Sequence, residues 1–130
     1  MKITRENAND LLMKEFTEMK KAFNDDGEYD NDTTHPFFSC EFVPFVMQNL
    51  KQGDVAVLHR IFSFIENLLT SGDDFAQNLA HVSIIEPIYQ ENGLVTYKPL
   101  IYKLCGQQTK ESFEYWESGV HWQNGEREKS

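Results

Sequence analysis

Cysteine is scarce in this chain, which has only Cys40 and Cys105 among its 130 residues. Two widely spaced cysteines build neither a disulfide framework nor a Cys-x-x-Cys metal site, so we expect a reduced cytoplasmic protein. Cys40 lies among phenylalanines and Cys105 follows Leu104, which predicts small core side chains rather than catalytic thiolates. The sequence also lacks a Gly-x-Ser-x-Gly elbow and a glycine-rich loop followed by lysine, which disfavours α/β-hydrolases and nucleotide binding.

Positive charge is also in short supply. Twelve Lys and Arg stand against 21 Asp and Glu, which gives a net charge of −9 at pH 7. A surface of this sign repels phosphate backbones and attracts basic proteins, so we expect no direct nucleic-acid binding. No apolar run approaches the ~20 residues of a membrane span, and the start MKITRENANDLL has no apolar signal core. We therefore expect neither a membrane partner nor export.

Aromatic residues are plentiful at 13%, ten of them Phe, and can fill a core. Apolar residues recur at three- and four-residue steps along most of the chain, which predicts amphipathic helices. The predicted helices cover residues 5–23, 35–51, 54–71, 73–90, 96–105 and 108–117. The fold class is all-α, a single domain of about five to seven helices over residues 1–120, with a polar tail at 121–130. We expect stacked α-hairpins in a solenoid-like arrangement.

Glycine and proline set the predicted boundaries. The pairs Gly53-Asp54 and Gly72-Asp73 each end one helix and cap the next. Pro44 lies inside a helical pattern and predicts a kink or two short helices. The Asn-Gly within residues 91–94 leaves a β-hairpin open as an alternative.

The stretch NDDGEYDNDTT at residues 24–34 has no apolar period, which predicts an acidic loop. Tyr29 lies inside it without apolar neighbours in sequence, so we expect an exposed aromatic anchor for a basic partner. Trp122 is a second exposed candidate, and the neighbouring helix surface is expected to contribute Glu66 and Asp74. The predicted partner-binding residues are Asp25, Asp26, Glu28, Tyr29, Asp30, Asp32, Glu66 and Asp74.

No metal site or cofactor is predicted, because the four histidines lack the four-residue spacing of a helical site. The acidic loop superficially resembles a calcium loop, but its glycine and terminal glutamate are at the wrong offsets. Glu66 and Glu86 occupy similar points of two adjacent helices. We favour solvated faces or bonds to neighbouring helix ends for them, and we expect no enzyme. A small hydrolase using Glu66, Glu86 or His81 remains an alternative, which requires convergence in one pocket with perturbed pKa values.

Two segments carry a resemblance to a known family: IFSFIENLLTSGDDFAQNLAHVSIIEPI at residues 61–88 and CGQQTKESFEYWESGV at residues 105–120. Together they resemble small helical bacterial immunity proteins of contact-dependent growth inhibition and other polymorphic toxin systems. The matching positions are Phe62, Glu66, Gly72-Asp73, Ile85-Glu86, Cys105-Gly106 and Trp116, whereas Pro87 and Gln107 depart from the pattern.

The resemblance implies a cytoplasmic protein that binds a basic toxin domain, often a nuclease, and covers its active site. The charge of −9 points independently to a basic partner. The alternative is a helical interaction or adaptor protein without a toxin partner.

Overall fold

The three- and four-residue apolar steps fold most of the chain into helices in the computed structural model. The structure describes residues 2–26 and 29–119, and of residues 24–26 it describes the backbone. The α-helices are α1 Arg5–Glu15, α2 Glu18–Asp26, α3 Thr34–Phe37, α4 Val43–Gln52, α5 Val55–Ser71, α6 Asp74–Ala80, α7 Glu86–Gln90, α8 Gly93–Leu104 and α9 Gln107–Ser118. Two π-helical turns, π1 Phe38–Phe42 and π2 His81–Ile85, join α3 to α4 and α6 to α7. The described segments therefore form seven helices, of which α8 is kinked at Tyr97, and this confirms the all-α prediction.

The predicted helix boundaries are confirmed where a side chain caps a helix locally. Asp54 accepts a hydrogen bond from the backbone N–H of Val57 (3.2 Å), and Asp73 accepts one from Ala76 (2.9 Å). Gly53 has a φ of 69°, the left-handed conformation that commonly ends a helix. At the alternative hairpin, Asn92 takes the left-handed conformation and α8 begins directly after it. No strand occurs in residues 2–26 and 29–119, where Ile3 and Gly72 form an isolated bridge.

Both π-turns lie just before a proline. Pro44 and Pro87 each stand two residues after the end of a π-turn. Proline has no N–H to donate to the carbonyl four residues earlier, so a regular α-turn there loses a hydrogen bond. Immediately before each proline the chain makes the wider bond instead, from the N–H of Val43 to Phe38 and from that of Glu86 to His81. The predicted irregularity at Pro44 is thus a π-turn within a continuous helix.

The first predicted helix, residues 5–23, is wrong as a single element. The chain breaks at Phe16, whose φ of −126° and ψ of 90° lie outside the helical region. This break places the Phe16 ring in the core, with its centroid 5.5 Å from that of Phe42 and 5.9 Å from that of Phe64. Arg60 secures the break from outside, because its side chain donates to the carbonyl and the carboxylate of Glu15.

One continuous core joins the helices, from Ile3 before α1 to Trp116 in α9. Several pairs of consecutive helices pack on each other, among them α4 with α5, α5 with α6 and α7 with α8, and α5 also contacts α8 and α9. This arrangement brings α9 against α5, π2 and α7. None of the helices in the described part of the chain is both long and apolar enough to cross a membrane.

Candidate functional site

The predicted acidic loop is shorter than expected. Helix α2 continues to Asp26, so Asp25 and Asp26 belong to its last turn. The side chains of Asp25 and Asp26 and the whole of Glu28 lie outside the described residues, as does Trp122. A partner-binding role for these acids therefore stays a prediction.

Tyr29 corrects the expectation of an exposed aromatic anchor. Its ring is half-buried, with centroid distances of 5.0 Å to Phe37 and 6.4 Å to Phe23. Its hydroxyl donates a hydrogen bond to Oε2 of Glu41 (2.9 Å). The apolar neighbours that Tyr29 lacks in the sequence come from α2 and α3, which meet at this point. Tyr29 therefore holds the loop to the core.

Asp30 and Asp32 are both exposed, and the side chain of Asp30 is engaged within its own turn. The Oδ1 atom of Asp30 accepts hydrogen bonds from the N–H groups of Asp32 (2.8 Å) and Thr33 (3.1 Å). The side chain of Asn9 in α1 donates to the carbonyl of Asp30 (2.9 Å) and anchors the turn. Across the described residues no group of three His, Cys, Asp or Glu side chains lies together in a way that could hold a metal ion.

Glu66 is used inside the fold. Its carboxylate accepts hydrogen bonds from the N–H groups of Gln108 (3.1 Å) and Thr109 (2.9 Å) and from the Thr109 hydroxyl (2.9 Å). These donors lie in the first turn of α9, where N–H groups lack partners within the helix. This is the bond to a neighbouring helix end that the sequence favoured. Both carboxylate oxygens are therefore engaged within the fold, and a partner-binding role for Glu66 stays a prediction.

Asp74 remains on an exposed face. It begins α6, and Asn78 and Val82 follow at four-residue steps along the same continuous helix, all three exposed. His81 lies seven residues after Asp74, two helical turns away. The face that begins at Asp74 therefore runs toward π2.

A pocket of about 370 Å³ opens where π2 meets α9. Helix α9 is amphipathic, since Thr109, Phe113 and Trp116 are buried whereas Gln108, Glu111 and Tyr115 are exposed. The steps of three and four residues between those exposed positions align them along one wall. The residues lining the pocket are His81, Gln108, Glu111, Ser112, Tyr115 and Trp116.

A histidine–serine pair lies in this pocket. Nδ1 of His81 is 2.6 Å from Oγ of Ser112, and the two atoms share a hydrogen bond. Burial lowers the pKa of His81 below its usual value, which favours the neutral imidazole at pH 7. Ser112 is itself buried. The pocket wall therefore combines a neutral, oriented imidazole with the carboxylate of Glu111.

A second histidine–serine pair meets the same π-turn. Nδ1 of His35 in α3 is 2.5 Å from Oγ of Ser83 in π2. Burial, together with the charge of Arg5, lowers the pKa of His35. Thus π2 contributes Ser83 to one pair and His81 to the other. The sequence drew attention to His81 but gave no sign of either pairing, because the partners are 31 and 48 residues apart.

The groups of the hydrolase alternative do not converge. Of Glu66, Glu86 and His81, only His81 lines the pocket. Burial raises the pKa of Glu86, but its carboxylate accepts a hydrogen bond from Gln90 (3.1 Å). Ser112 lies in the middle of α9. The N–H groups of Gln108 and Thr109 at the start of this helix already donate hydrogen bonds to Glu66. The pocket thus lacks an evident oxyanion hole among the described residues.

The cysteines do not supply a nucleophile to the pocket either. Burial is the main cause that raises the pKa of Cys105 to about 11, with the nearby Glu66 carboxylate adding to the effect. Its thiol is therefore protonated at neutral pH. Cys40 is exposed, which corrects the prediction of a core position. It follows Ser39 on the outer side of π1, whereas Phe38 and Phe42 take the core positions.

The fold and the site define a small all-α protein with one continuous core and a surface pocket between a π-turn and the C-terminal described helix. The chain belongs to the family described as Domain of unknown function (DUF7674), whose sequence model matches residues 9–122. Searches of the curated proteins and of the solved structures found no match. The family description names no activity or partner, so function has to be inferred from the charge and the site.

Proposed function

We propose that this protein binds a basic protein domain. The observation that carries the proposal is its uncompensated negative charge. The whole chain carries −9, and within the described residues two ion pairs form, Arg60–Glu15 and Lys98–Glu117, both at 3.0 Å. Most described acids thus keep their field available to a partner of opposite sign, which speeds association.

An exposed face beside the pocket supports the proposal. We call it the α6–α9 face and define it by Asp74, Asn78, Val82, Glu111 and Tyr115. Tyr115 is 50% exposed and Val82 37%, both high for side chains of this size and type. An aromatic and an aliphatic group bordered by polar and acidic ones is the usual composition of a protein interface.

In the specific form that the resemblance implies, the partner is a toxin domain and the protein is its immunity protein. Nuclease toxins need basic clefts for phosphates, and an acidic protein seated on such a cleft would block substrate entry. Electrostatic attraction would also make capture fast, before the toxin acts. The other form, an adaptor, binds a basic partner without inhibiting it.

The first test is affinity capture of the tagged protein from its native cell extract at low salt, followed by elution with increasing salt. We expect one basic protein that elutes only at high salt. For the immunity form, its activity is absent in the complex and returns after separation. A partner that stays active when bound supports the adaptor, and the absence of any basic partner overturns the proposal.

The second test locates the surface with variants of equal net charge. Asp74→Asn with Glu111→Gln removes two acids from the α6–α9 face. Glu91→Gln with Glu114→Gln removes two exposed acids from outside it, and Glu114 lies on the side of α9 that faces Tyr102. We expect the first pair to weaken partner affinity about tenfold and the control pair less than about threefold. Equal effects would contradict the location.

The acidic residues between positions 25 and 32 are the alternative location for the contact with the partner. Replacing Asp25, Asp26, Glu28, Asp30 and Asp32 by their amides removes five charges, and the amide oxygen at position 30 can still accept the bonds of its turn. Partner affinity within about tenfold of the wild type, ~1.4 kcal/mol, would exclude this segment as the contact surface. A larger loss would place the contact there instead of on the α6–α9 face.

A further inference from the structure

We infer that the pocket between π2 and α9 seats an arginine side chain of the basic partner. This inference rests on the proposed function and names the group that the α6–α9 face recognises. The pocket has a volume of about 370 Å³, which lies within the range of ligand pockets and far exceeds the space of a single water. The guanidinium and its three-carbon stem fit such a space.

The walls of the pocket suit a flat cation. Tyr115 and Trp116 line it, and their ring centroids are 5.7 Å apart at an angle of 78°. Arginine stacks its planar guanidinium on aromatic faces, and its apolar stem packs against rings at the same time. Lysine carries a compact, strongly hydrated charge that gains less from such walls.

The charge of the pocket has the complementary sign. Glu111 lines it, and the six lining residues include no lysine or arginine. Oε2 of Glu111 accepts a hydrogen bond from Gln107 (2.9 Å), and the described residues offer no hydrogen bond to Oε1. A guanidinium N–H could donate to this oxygen, and such charge-assisted bonds are stronger than neutral ones.

The neutral state of His81 also favours a cationic ligand in the pocket. A protonated imidazole would repel a guanidinium, whereas the half-buried, neutral ring bonded to Ser112 does not. A phosphate or carboxylate ligand would meet Glu111 without any cation among the lining residues. The pocket therefore excludes the anionic ligands that small pockets often bind.

The position of the pocket indicates a side chain from a protein rather than a free amine. Tyr115 belongs both to the pocket lining and to the α6–α9 face, and Val82 follows His81 directly. An arginine that enters the pocket therefore brings its own backbone over exposed apolar groups. Buried arginine anchors surrounded by such a rim are typical of binding hot spots.

The test uses two small probes of the same shape, N-acetyl-arginine methylamide and its uncharged isostere N-acetyl-citrulline methylamide. Nitrogen-15 NMR spectra of the full chain with Trp122→Phe then report Trp116 alone through the indole signal. We expect the arginine probe to shift the signals of Trp116 and His81 in a saturable way and the citrulline probe to bind about tenfold more weakly. Equal binding of the two probes, or no shift at the pocket, would overturn the inference.

Matched variants identify the carboxylate. Glu111→Gln should weaken the arginine probe at least about fivefold, whereas Glu114→Gln, on the same helix outside the pocket, should change it less than about twofold. His81 and Trp116 signals in the probe-free spectra show that each variant is folded. Similar losses in both variants would mean that general charge, not the pocket, attracts the probe, and would contradict the inference.

The two proposals fail in different ways. If a basic partner is captured and Glu111→Gln leaves its affinity unchanged, the arginine seat is wrong and the binding function stands. If the arginine probe fills the pocket but no basic protein is captured, the proposed function is wrong, and with it the protein source of the arginine.

Discussion

At the scale of single residues, His81 links folding to pH. Burial holds its pKa below the value of 6.5 expected in the unfolded chain, and burial with the charge of Arg5 does the same for His35. Between the lowered and the ordinary pKa the unfolded state binds more protons. The stabilisation is therefore complete above about pH 6.5 and is lost as the pH falls through the folded pKa.

We predict that His81→Gln flattens this pH dependence. Glutamine can still hydrogen-bond with Ser112 but does not titrate. Between about pH 7.5 and 5.5, the free energy of unfolding should fall less in the variant than in the wild type. Urea denaturation at several pH values measures it.

His59→Gln, at an exposed position, is the control and should keep the wild-type slope. The pH dependence that Glu86 contributes has the opposite sign, because burial raises its pKa from 4.5. Its contribution to the free energy of unfolding is lost as the pH rises through the raised value. Glu86 is present in all three proteins, so its effect cancels in the comparison. Identical slopes for wild type and His81→Gln would contradict the prediction.

Tyr29 is the subject of a separate prediction, because its hydroxyl and its ring both have partners within the fold. Tyr29→Phe removes the hydroxyl that donates to Glu41 and keeps the ring between Phe23 and Phe37. We expect a loss of about 0.5–1.5 kcal/mol in unfolding free energy, since the site is only half-buried. Affinity for the basic partner should stay unchanged.

Glu41→Gln and the double variant complete a double-mutant cycle for this bond. If the hydroxyl acts through Glu41, the double variant should lose less than the sum of the single losses. Additive losses would mean that the hydroxyl does not act through Glu41, and a large drop in partner affinity with Tyr29→Phe would indicate that Tyr29 contacts the partner.

At the scale of helices, Glu66 connects the middle of α5 to the start of α9. The approach is close, because a Cβ atom at Gly106 would lie 2.5 Å from Oε1 of Glu66. Real Cβ atoms do not come that near, so only glycine allows the carboxylate to reach the N–H groups of Gln108 and Thr109. An acidic group at a helix N-terminus is favoured by the helix dipole as well as by hydrogen bonds.

We therefore predict that Gly106→Ala destabilises the protein by displacing Glu66. The expected loss is about 1–2 kcal/mol in unfolding free energy, comparable with the removal of a helix cap. Chemical denaturation measures it, and Gln107→Ala, at the adjacent exposed position, should cost less than about 0.5 kcal/mol.

Combining Gly106→Ala with Glu66→Ala tests the cause. If alanine at position 106 acts by displacing the carboxylate, then the second change should add little to the first. Fully additive losses would mean that the glycine matters for another reason, such as the backbone of the turn itself.

The helices also show what the sequence could predict. The helix boundaries at Asp54 and Asp73 could be predicted from the sequence. Each depends on a capping hydrogen bond between an aspartate and the N–H group three residues later. The break at Phe16 could not, because its spacing from Leu12 and Met19 fits an unbroken helix. Only the rings of π1, α4 and α5 that surround Phe16 explain why the chain turns there.

The candidate site likewise depends partly on local sequence and partly on contacts between residues distant in sequence. His81 can be singled out from the sequence, but the pocket also needs Glu111 and Ser112, and Ser112 lies 31 residues further along the chain. No local pattern links them. Tyr29 was misjudged for the same reason, since its apolar contacts come from other helices.

At the scale of the whole molecule, the aromatic core joins the N-terminal helices to the rest. Phe16 is 1% exposed, and its ring lies within 6 Å of the rings of Phe42, Phe45 and Phe64. The same core continues to Trp116 in α9, which borders the pocket. We expect one cooperative unfolding transition, because the buried apolar residues of the described segments form a single cluster.

Phe16→Ala tests this unity from the end farthest along the chain from the pocket. Removing a buried Phe ring typically costs about 3–5 kcal/mol, whereas Val95→Ala, at a position 73% exposed, should cost less than about 0.5 kcal/mol. Urea denaturation in a Trp122→Phe background is followed by far-ultraviolet circular dichroism and by Trp116 fluorescence. Both signals should shift together to lower urea. If circular dichroism falls first while Trp116 keeps the wild-type midpoint, then α1 and α2 unfold alone, and a change in the N-terminal helices would not reach the pocket.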